Sequence, residues 1–438
     1  MHGRKGISKL PATFVMRRKK AIVFTEYRHK LEAIESARRA GFSAVLVTRQ
    51  KRNGAAKVFD EIFEADLNSR EVWDQLAEKI SAKYNVKAVV SNYDHFVVQR
   101  SYLAERLNVP STTVYAAACT RNKVLMRHAL SVMPENIEFE VAKSLVGAKA
   151  ARKKLGGDVF LKSIAGVKSR CVFHVDSEAA LTRAWREFCK LKNEIDEELM
   201  NDFKYLDFRF EYPDPRETVL VEKAIHGRQI TVSSLVDSHR VWHAPSIVDV
   251  TTAAEIGRDD SFLAYRMLPS KMPREIWREA KQITETAIKV LGLRNCAVFT
   301  DLIVDDTGAV KIIEMASRMG GYRPLMYSHA YEFYLPDLLI RAVTGQPVRR
   351  RKQAQQYVSL LELFPEKNGK FVRIENLREL KKDPAVKYFN LKAKKNSPVG
   401  HARENFDPVA VILLAAKNYR ALEKKSREYQ EKLKVVVA

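Results

Sequence analysis

The chain has 438 residues, is 46% hydrophobic and 29% charged, and carries a formal net charge of +23. That length suits roughly two to four packed units, and the composition is that of a globular protein, not a disordered one. No uninterrupted apolar run of about 18 residues occurs, which excludes a membrane-spanning helix. The opening stretch MHGRKGISKLPATFVMRRKK lacks the apolar core and small-residue site of a signal peptide.

The charge sits at the ends. Residues 1–30 hold nine Lys/Arg against one acid, and residues 346–438 hold 22 against ten. Nucleic acid is one reading of such ends. However, the C-terminal charges are interspersed with acids and no aromatic-glycine RNA signature accompanies them, so solvated surface is the expectation. Cys119, Cys171, Cys189 and Cys296 show neither CxxC spacing nor a nearby histidine pair. The expectation is free thiols in a reducing cytoplasm.

The first 118 residues alternate strand and helix. AIVFT (21–25) precedes an amphipathic helix over 29–40, then SAVLVT (43–48), a helix over 70–83, VKAVVS (86–91), a helix over 96–107 and STTVY (111–115). This alternation predicts a parallel α/β sheet. No GxGxxG follows the first strand, so a dinucleotide-binding reading has no support. From about residue 120 the pattern becomes mixed: a helix over 122–130, strand DVFLKS (158–163), CVFHV (171–175), and a helix over 178–192. ETVLVEKAI (217–225) and ITVSSLV (230–236) follow, then an irregular stretch to 270 and a helix over 273–291. The segment 297–316 reads as a hairpin turning at Asp306-Thr307-Gly308, and a helix over 336–344 ends at Gly345. Short strands at 357–364, 371–374, 386–392 and 408–416 and a charged helix over 418–433 complete a small mixed unit.

The hairpin holds the chemistry. Asp301 and Glu314 lie 13 residues apart on strands joined by a tight turn, so they can face each other on one side of a sheet. Two adjacent carboxylates repel unless a cation separates them, and Mg²⁺ takes one or two carboxylates plus phosphate oxygens. Taken alone, two hairpin acids are more often surface charges. Arg318, just before Gly320-Gly321, offers a planar fork for a carboxylate or acyl phosphate. In VLVEKAIHGRQ (219–229) an apolar strand ends in Glu222-Lys223 with Gly227 beyond, which reads as a strand and turn or as a hinge with a flat slot for adenine. Lys123 opens a helix. Lys162 sits in an apolar strand, where an ammonium is costly without a partner; a phosphate would satisfy it. Gly166 and Ser169, with Lys168 and Arg170, form a loop that backbone N–H groups could use to cover phosphate. Arg323, Tyr322 and His329 could reach a substrate carboxylate, although surface or supporting roles are the plainer reading. His226 and His243 read as incidental.

In order and spacing these elements resemble the ATP-grasp superfamily over nearly the whole chain: the helix of Lys123, the strand and loop from Lys162 to Arg170, the Glu222-Lys223 hinge, and D-x₁₂-E-x₃-R-x-G-G from Asp301 to Gly321. The stretch LPSKMPREIWREAKQITETAIKVLGLRNCAVFTDLIV looks most like the L-amino-acid ligase (dipeptide synthetase) branch. The resemblance implies an α+β ATP-grasp fold with an N-terminal parallel α/β pre-ATP-grasp domain (1–118). An ATP-grasp domain (119–345, lobes about 119–216 and 217–345) and a small C-terminal α+β cap (346–438) would follow.

It further implies a ligase using ATP and Mg²⁺ (or Mn²⁺), in which Lys123, Lys162, Gly166 and Ser169 contact nucleotide. Glu222, Lys223, Ala224, Ile225 and Gln229 would frame adenine and ribose, Asp301 and Glu314 would hold metal, and Arg318 with Lys162 would act on the acyl phosphate. The implied partners are small-molecule carboxylate and amine substrates, with a homodimer allowed. Four positions depart from the family pattern. Asp301 stands for the usual Glu, Ala316 for an Asn ligand, Gln229 for the ribose-binding Glu, and Phe299 for the His frequent in the dipeptide branch. Ala316 supplies no oxygen. A catalytically impaired ATP-binding regulator and a bicarbonate-activating carboxylase-like enzyme are therefore the alternative readings.

Overall fold

The computed structural model describes residues 18–26, 31–50, 57–165, 171–192, 213–260, 262–349, 353–404 and 406–438. The N-terminal unit is a four-stranded parallel sheet in the order β3-β2-β1-β4, built from β1 (Lys19–Thr25), β2 (Ser43–Thr48), β3 (Glu61–Glu64) and β4 (Tyr84–Val90). Helices α1 (Leu31–Arg39), α2 (Arg70–Lys83) and α3 (Val97–Arg106) connect or follow the strands, as the alternating pattern predicts.

The expected strand STTVY is instead the start of a helix, α4 (Val114–Cys119). The Thr113 hydroxyl accepts the Ala116 N–H at 3.2 Å and so caps the helix. The alanines that follow favour helix more strongly than the β-branched residues before them favour strand.

After α5 (Lys123–Ala129), four strands form an antiparallel sheet in the order β5-β8-β6-β7: β5 (Phe139–Ala142), β6 (Val159–Ser163), β7 (Val172–Val175) and β8 (Val219–Lys223). Helices α6 (Leu145–Lys154) and α7 (Glu178–Leu191) cover one face of it. Ala148, Ala151, Leu181, Ala184 and Phe188 pack there against Val159, Leu161, Val219 and Val221. This is the first lobe; β8, expected to open the second lobe at about 217, pairs with β5 and β6 and belongs to this sheet instead.

The second lobe belongs to a nine-stranded sheet. Its strands are β9 (Gly227–Val236), β10 (Val241–His243), β11 (Val248–Thr252), β12 (Leu263–Leu268), β13 (Cys296–Asp305), β14 (Val310–Ala316), β15 (Tyr357–Leu363), β17 (Val386–Leu391) and β19 (Ala410–Ala416). The main path runs β14-β13-β9-β11-β12-β15-β19-β17, with β10 paired to β9. The stretch expected to be irregular up to residue 270 therefore contributes three strands. The C-terminal strands also continue the lobe's sheet, since β12 pairs with β15 at Arg266–Leu360 and its neighbours. The smaller strands β16 (Gly369–Ile374), β18 (Pro398–Val399) and β20 (Val435–Val437) form a separate three-stranded sheet.

Both faces of the large sheet are buried. On one face Ile230, Val232, Val298 and Leu302 meet α8 (Arg274–Leu291) and part of the N-terminal unit. The amphipathic spacing of Ala280, Ile283, Ala287, Ile288 and Leu291 turns that side of α8 inward. Each buried Ile or Leu contributes about 1.5–3 kcal/mol. The other face packs Leu235, Ala297, Val248 and Leu360 against α9 (Arg323–Tyr331) and α10 (Leu335–Val343). α11 (Leu377–Lys382) and α12 (Tyr419–Lys432) close the C-terminal part.

Candidate active site

β13 and β14 form the expected hairpin, and Asp301 and Glu314 are directly opposed across it. The turn is held by Asp305, whose Oδ1 accepts the N–H groups of Thr307 and Ala309, each at 2.9 Å. Gly308 takes φ +88° there, a conformation glycine adopts without steric cost. Of the Asp301 oxygens, Oδ1 is buried with no hydrogen-bond donor. Burial pushes the Asp301 carboxyl up, the facing Glu314 adds to this, and Arg323, Arg318 and Arg266 pull against it; the result is about 7. A carboxyl with a buried, unpartnered oxygen beside a second acid fits a divalent cation, which would favour its ionised form. Ala316 lies opposite Phe299 on the same hairpin and offers no ligand atom.

Lys123 joins this pair to the first lobe. Its Nζ lies 3.2 Å from Glu314 Oε1, and its backbone N–H donates to the Ile164 carbonyl at 2.7 Å, just after β6. The Asn122 side chain caps α5 by accepting the N–H groups of Val124 and Leu125. One turn further along the helix, Arg127 is fully buried. Its Nε donates to Glu222 Oε1 at 2.6 Å, and its two terminal nitrogens reach the carbonyls of Ile312 and Ile313 at 2.8 and 2.7 Å. Arg127 thus ties α5, β8 and β14 together.

The partner of Lys162 is Glu222, at 2.5 Å from Nζ to Oε2. The costly ammonium anticipated in this strand is satisfied within the protein. Burial would raise the Glu222 carboxyl, but Arg127 and Lys162 outweigh it and hold it at about 2. Glu222 therefore points into a buried ion-pair network, and only its neighbours in sequence present the hinge surface. Lys223, Ala224 and Ile225 are exposed or half-buried. The Lys223 and Ala224 N–H groups donate to the carbonyls of Glu138 and Asp158, each at 3.0 Å. Gln229 is half-buried on β9, opposite Ile303. At Gly227 (φ +154°) an added Cβ would lie 2.1 Å from the Val304 carbonyl oxygen, so the hinge crosses β13 too closely for any side chain. Gly166 and Ser169 lie outside the described residues.

His226 is not isolated. Its Nε2 and that of His174 each lie 2.7 Å from a different oxygen of Asp158, in a cluster whose two histidines are exposed. Surface depressions of about 540 Å³ beside Lys149 and Gly156 and about 390 Å³ beside Arg228 and Gly308 involve neither the acid pair nor the two lysines.

Arg318 is held from the N-terminal unit. Its Nε and Nη2 clasp the two oxygens of Asp94 at 2.7 and 2.6 Å, and its Nη1 donates to the Met319 carbonyl at 2.9 Å. Burial pushes the Asp94 carboxyl up, but the Arg318 guanidinium outweighs this and holds it below its ordinary value. Arg100 on α3 donates to the Ser317 carbonyl at 2.8 Å, so two residues of the motif are braced by the same domain. Gly320 passes directly over Phe299, and an added Cβ there would meet the ring at 2.4 Å. Arg323, anticipated as surface or supporting, is 1% exposed.

Sequence reasoning missed Arg127, Asp94, Arg100 and Arg266. Only Arg127 left a signal, since i,i+4 spacing places it on the Lys123 face of α5.

Among the described residues no helix is long and apolar enough to cross a membrane, and all four cysteines are free. Three family models match the chain: an ATP-grasp N-terminal domain over 34–111, an ATP-grasp domain over 156–324, and an L-amino acid ligase C-terminal domain 2 over 362–438. A comparison with curated proteins found no match.

Several solved structures share the fold. An L-amino acid ligase from Bacillus licheniformis superposes with TM-score 0.78 at 18% identity, covering 96% of this chain and 99% of that one. A phosphoribosylglycinamide synthetase from Anaerococcus prevotii gives 0.65 at 17%, covering 96% and 100%. The biotin carboxylase domain of a 2-oxoglutarate carboxylase from Hydrogenobacter thermophilus, in complex with MgADP and bicarbonate, gives 0.67 at 16%, covering 96% and 91%.

Proposed function

Because the chain is an ATP-grasp protein with an L-amino acid ligase C-terminal domain, we propose that it is an ATP-dependent carboxylate–amine ligase. It activates a carboxylate as an acyl phosphate and takes an amino acid or small peptide as at least one substrate. The observation that carries this reading is the opposed pair Asp301 and Glu314, with a buried unpartnered oxygen, flanked by Lys123 and Arg318. Its sequence frame, D-x₁₂-E-x₃-R-x-G-G, is the one expected of a nucleotide-metal site. Support for the substrate class comes from the C-terminal match and from the near-complete coverage of the Bacillus licheniformis ligase.

Asp301 and Glu314 would hold Mg²⁺ or Mn²⁺, which would neutralise charge on nucleotide phosphates. Lys123 and Lys162 would face the phosphates from the first lobe, and Lys223, Ala224, Ile225 and Gln229 would border the base and ribose. A substrate carboxylate oxygen attacks the γ-phosphorus and ADP leaves. The amine then attacks the acyl carbon, and phosphate leaves with that oxygen. Arg318 stabilises the negative charge on the transferred group through the N–H hydrogens that Asp94 and Met319 leave, and because Asp94 already fixes its plane little reorganisation accompanies the step.

The test is oxygen transfer. A carboxylate substrate labelled with heavy oxygen passes one label to the released phosphate. Label appearing in AMP would mean adenylation, and label remaining wholly in the acid would mean plain ATP hydrolysis; either outcome overturns the reading.

A further inference from the structure

Two arginines beside the acid pair have no part in the chemistry described so far. Arg323, the first residue of α9, is 1% exposed. Its Nη2 donates to Thr231 Oγ1 at 3.0 Å, its Nη1 meets only the thioether of Met326 at 3.4 Å, and its Nε is buried without an acceptor. Among the described residues no carboxylate forms an ion pair with it. Burial pulls its pKa down, and repulsion from Arg266 adds to this, leaving about 10. Arg266 on β12 is 8% exposed. One arm of its fork holds Glu362 Oε2 at 2.8 Å, while Nη1 is buried without an acceptor.

A buried guanidinium can serve architecture, and this protein shows how. Arg127 and Arg100 each donate to main-chain carbonyls of another segment. Among the described residues Arg323 reaches no main-chain carbonyl. A buried cation with no counter-ion costs several kcal/mol; a thioether is a weak acceptor, and the Phe299 ring, its centroid 5.3 Å from the Arg323 guanidinium carbon, offsets only part of that cost. Such a group is retained at a cost to stability, as binding sites are.

The sheet register places both arginines relative to the metal acids. Asp301 pairs with Thr231, and Thr231 with Val248; two residues on, Val250 pairs with Arg266. Partners across strands, and residues two apart along one, share a face. Asp301 and Arg266 are therefore on one side of the sheet, three strand spacings across and two residues along, about 16 Å apart between their backbones. The contact of Arg323 with Thr231 lies one spacing from Asp301, about 5 Å. Tyr322 borders the same place, in the left-handed region at φ +58°, with its phenol beside Glu362 and Arg266.

We propose that Arg323, backed by Arg266, binds a second anionic group of the substrate, a carboxylate or a phosphate, on the sheet face that carries Asp301. The Nε of Arg323 and the Nη1 of Arg266 supply hydrogen bonds to it, and its charge neutralises Arg323. A substrate lacking that anion leaves both donors unpaired, so the site discriminates against bicarbonate and simple amines. The inference rests on the ligase reading of the acid pair.

The test uses the full chain with Mg²⁺ and a non-hydrolysable ATP analogue, followed by thermal melting with butyrate, glutarate or ribose 5-phosphate added. Glutarate or ribose 5-phosphate should raise the melting temperature beyond the shift given by butyrate, and which of the two does so assigns carboxylate or phosphate. In Arg323→Met that increment should vanish while the nucleotide shift persists, and the ligand-free protein should melt at the same temperature or higher.

A clear fall in ligand-free melting temperature would make Arg323 structural and overturn the proposal. So would equal responses to butyrate and both larger anions, or an increment surviving in the variant. Should Arg323→Met fail to fold, Arg323→Lys decides: weakened anion response at unchanged ligand-free stability supports the site, and full response refutes it. A missing nucleotide shift in the unsubstituted protein would count against the ligase reading instead, and anion melts without nucleotide would still judge the arginine pair.

Discussion

Two buried charge clusters lie a helix turn apart and are built on opposite terms. Around Glu222, each carboxylate oxygen accepts a strong donor, and Arg127 places its remaining nitrogens on Asn136 and on two carbonyls of β14. Around Asp301, one carboxylate oxygen, the Nε of Arg323 and the Nη1 of Arg266 have no hydrogen-bond partner among the described residues. The first cluster has its hydrogen bonds satisfied within the protein and ties segments of the two lobes together. The second is left open, at a cost in stability, and that is what a site awaiting a cation and anions requires.

The sharpest break in this contrast would come from Glu222→Gln. Removing the carboxylate leaves Arg127 and Lys162 buried without an acid, and stability should fall by about 3–5 kcal/mol in denaturant melts. The unsubstituted protein should also lose stability as pH falls from about 4.5 towards about 2, since Glu222 is held at about 2 when folded and its bonds need the ionised form. The variant should lack that component of the acid transition. A neutral substitution would show that the saturated cluster is not architecture.

Asp301→Asn should do the reverse. Turnover should drop roughly 100-fold or more. The ligand-free protein should melt at the same temperature or about 2–5 °C higher, because a carboxyl facing Glu314 has been made neutral. Lys162→Ala sharpens the boundary between the clusters. Its ammonium pairs with Glu222, so ligand-free stability should fall by about 1–3 kcal/mol, less than for Glu222→Gln because Arg127 remains. Unchanged stability with weakened ATP binding would move Lys162 into the open cluster. The smallest effect belongs to the exposed pair of Lys223 and Glu138, 2.8 Å apart. Lys223→Ala should change melting by no more than about 1 kcal/mol, and a larger loss would mean that the hinge depends on this ion pair.

What sequence could reveal follows the same division. The hairpin of Asp301 and Glu314 was legible because alternation and a turn lie within 20 consecutive residues, and Lys162 was legible as a charge out of place in an apolar run. The saturated network was not, since Arg127, Lys162 and Glu222 come from three segments and each looks ordinary alone. Asp94, 224 residues from Arg318, carries no local mark at all. Strands β11 and β12 escaped notice because they are only five and six residues long, and Arg266 was hidden with them. The strand expected at STTVY failed because a capping threonine reads as β-branched until the alanines after it are weighed.

The pairing of β12 with β15 has a practical meaning for anyone who would separate the catalytic half from its C-terminal segment. Cutting after residue 345 would strip β15 from β12 and bare a row of main-chain donors and acceptors along a six-residue, mostly apolar strand. It would also uncover Phe262, Ala264, Tyr265 and Met267, whose core is shared with Leu361, Leu363 and Ile412. An uncapped strand of that kind recruits copies of itself. The last ninety residues thus act as a permanent edge guard, and a shortened enzyme would be lost to self-association before its chemistry could be measured.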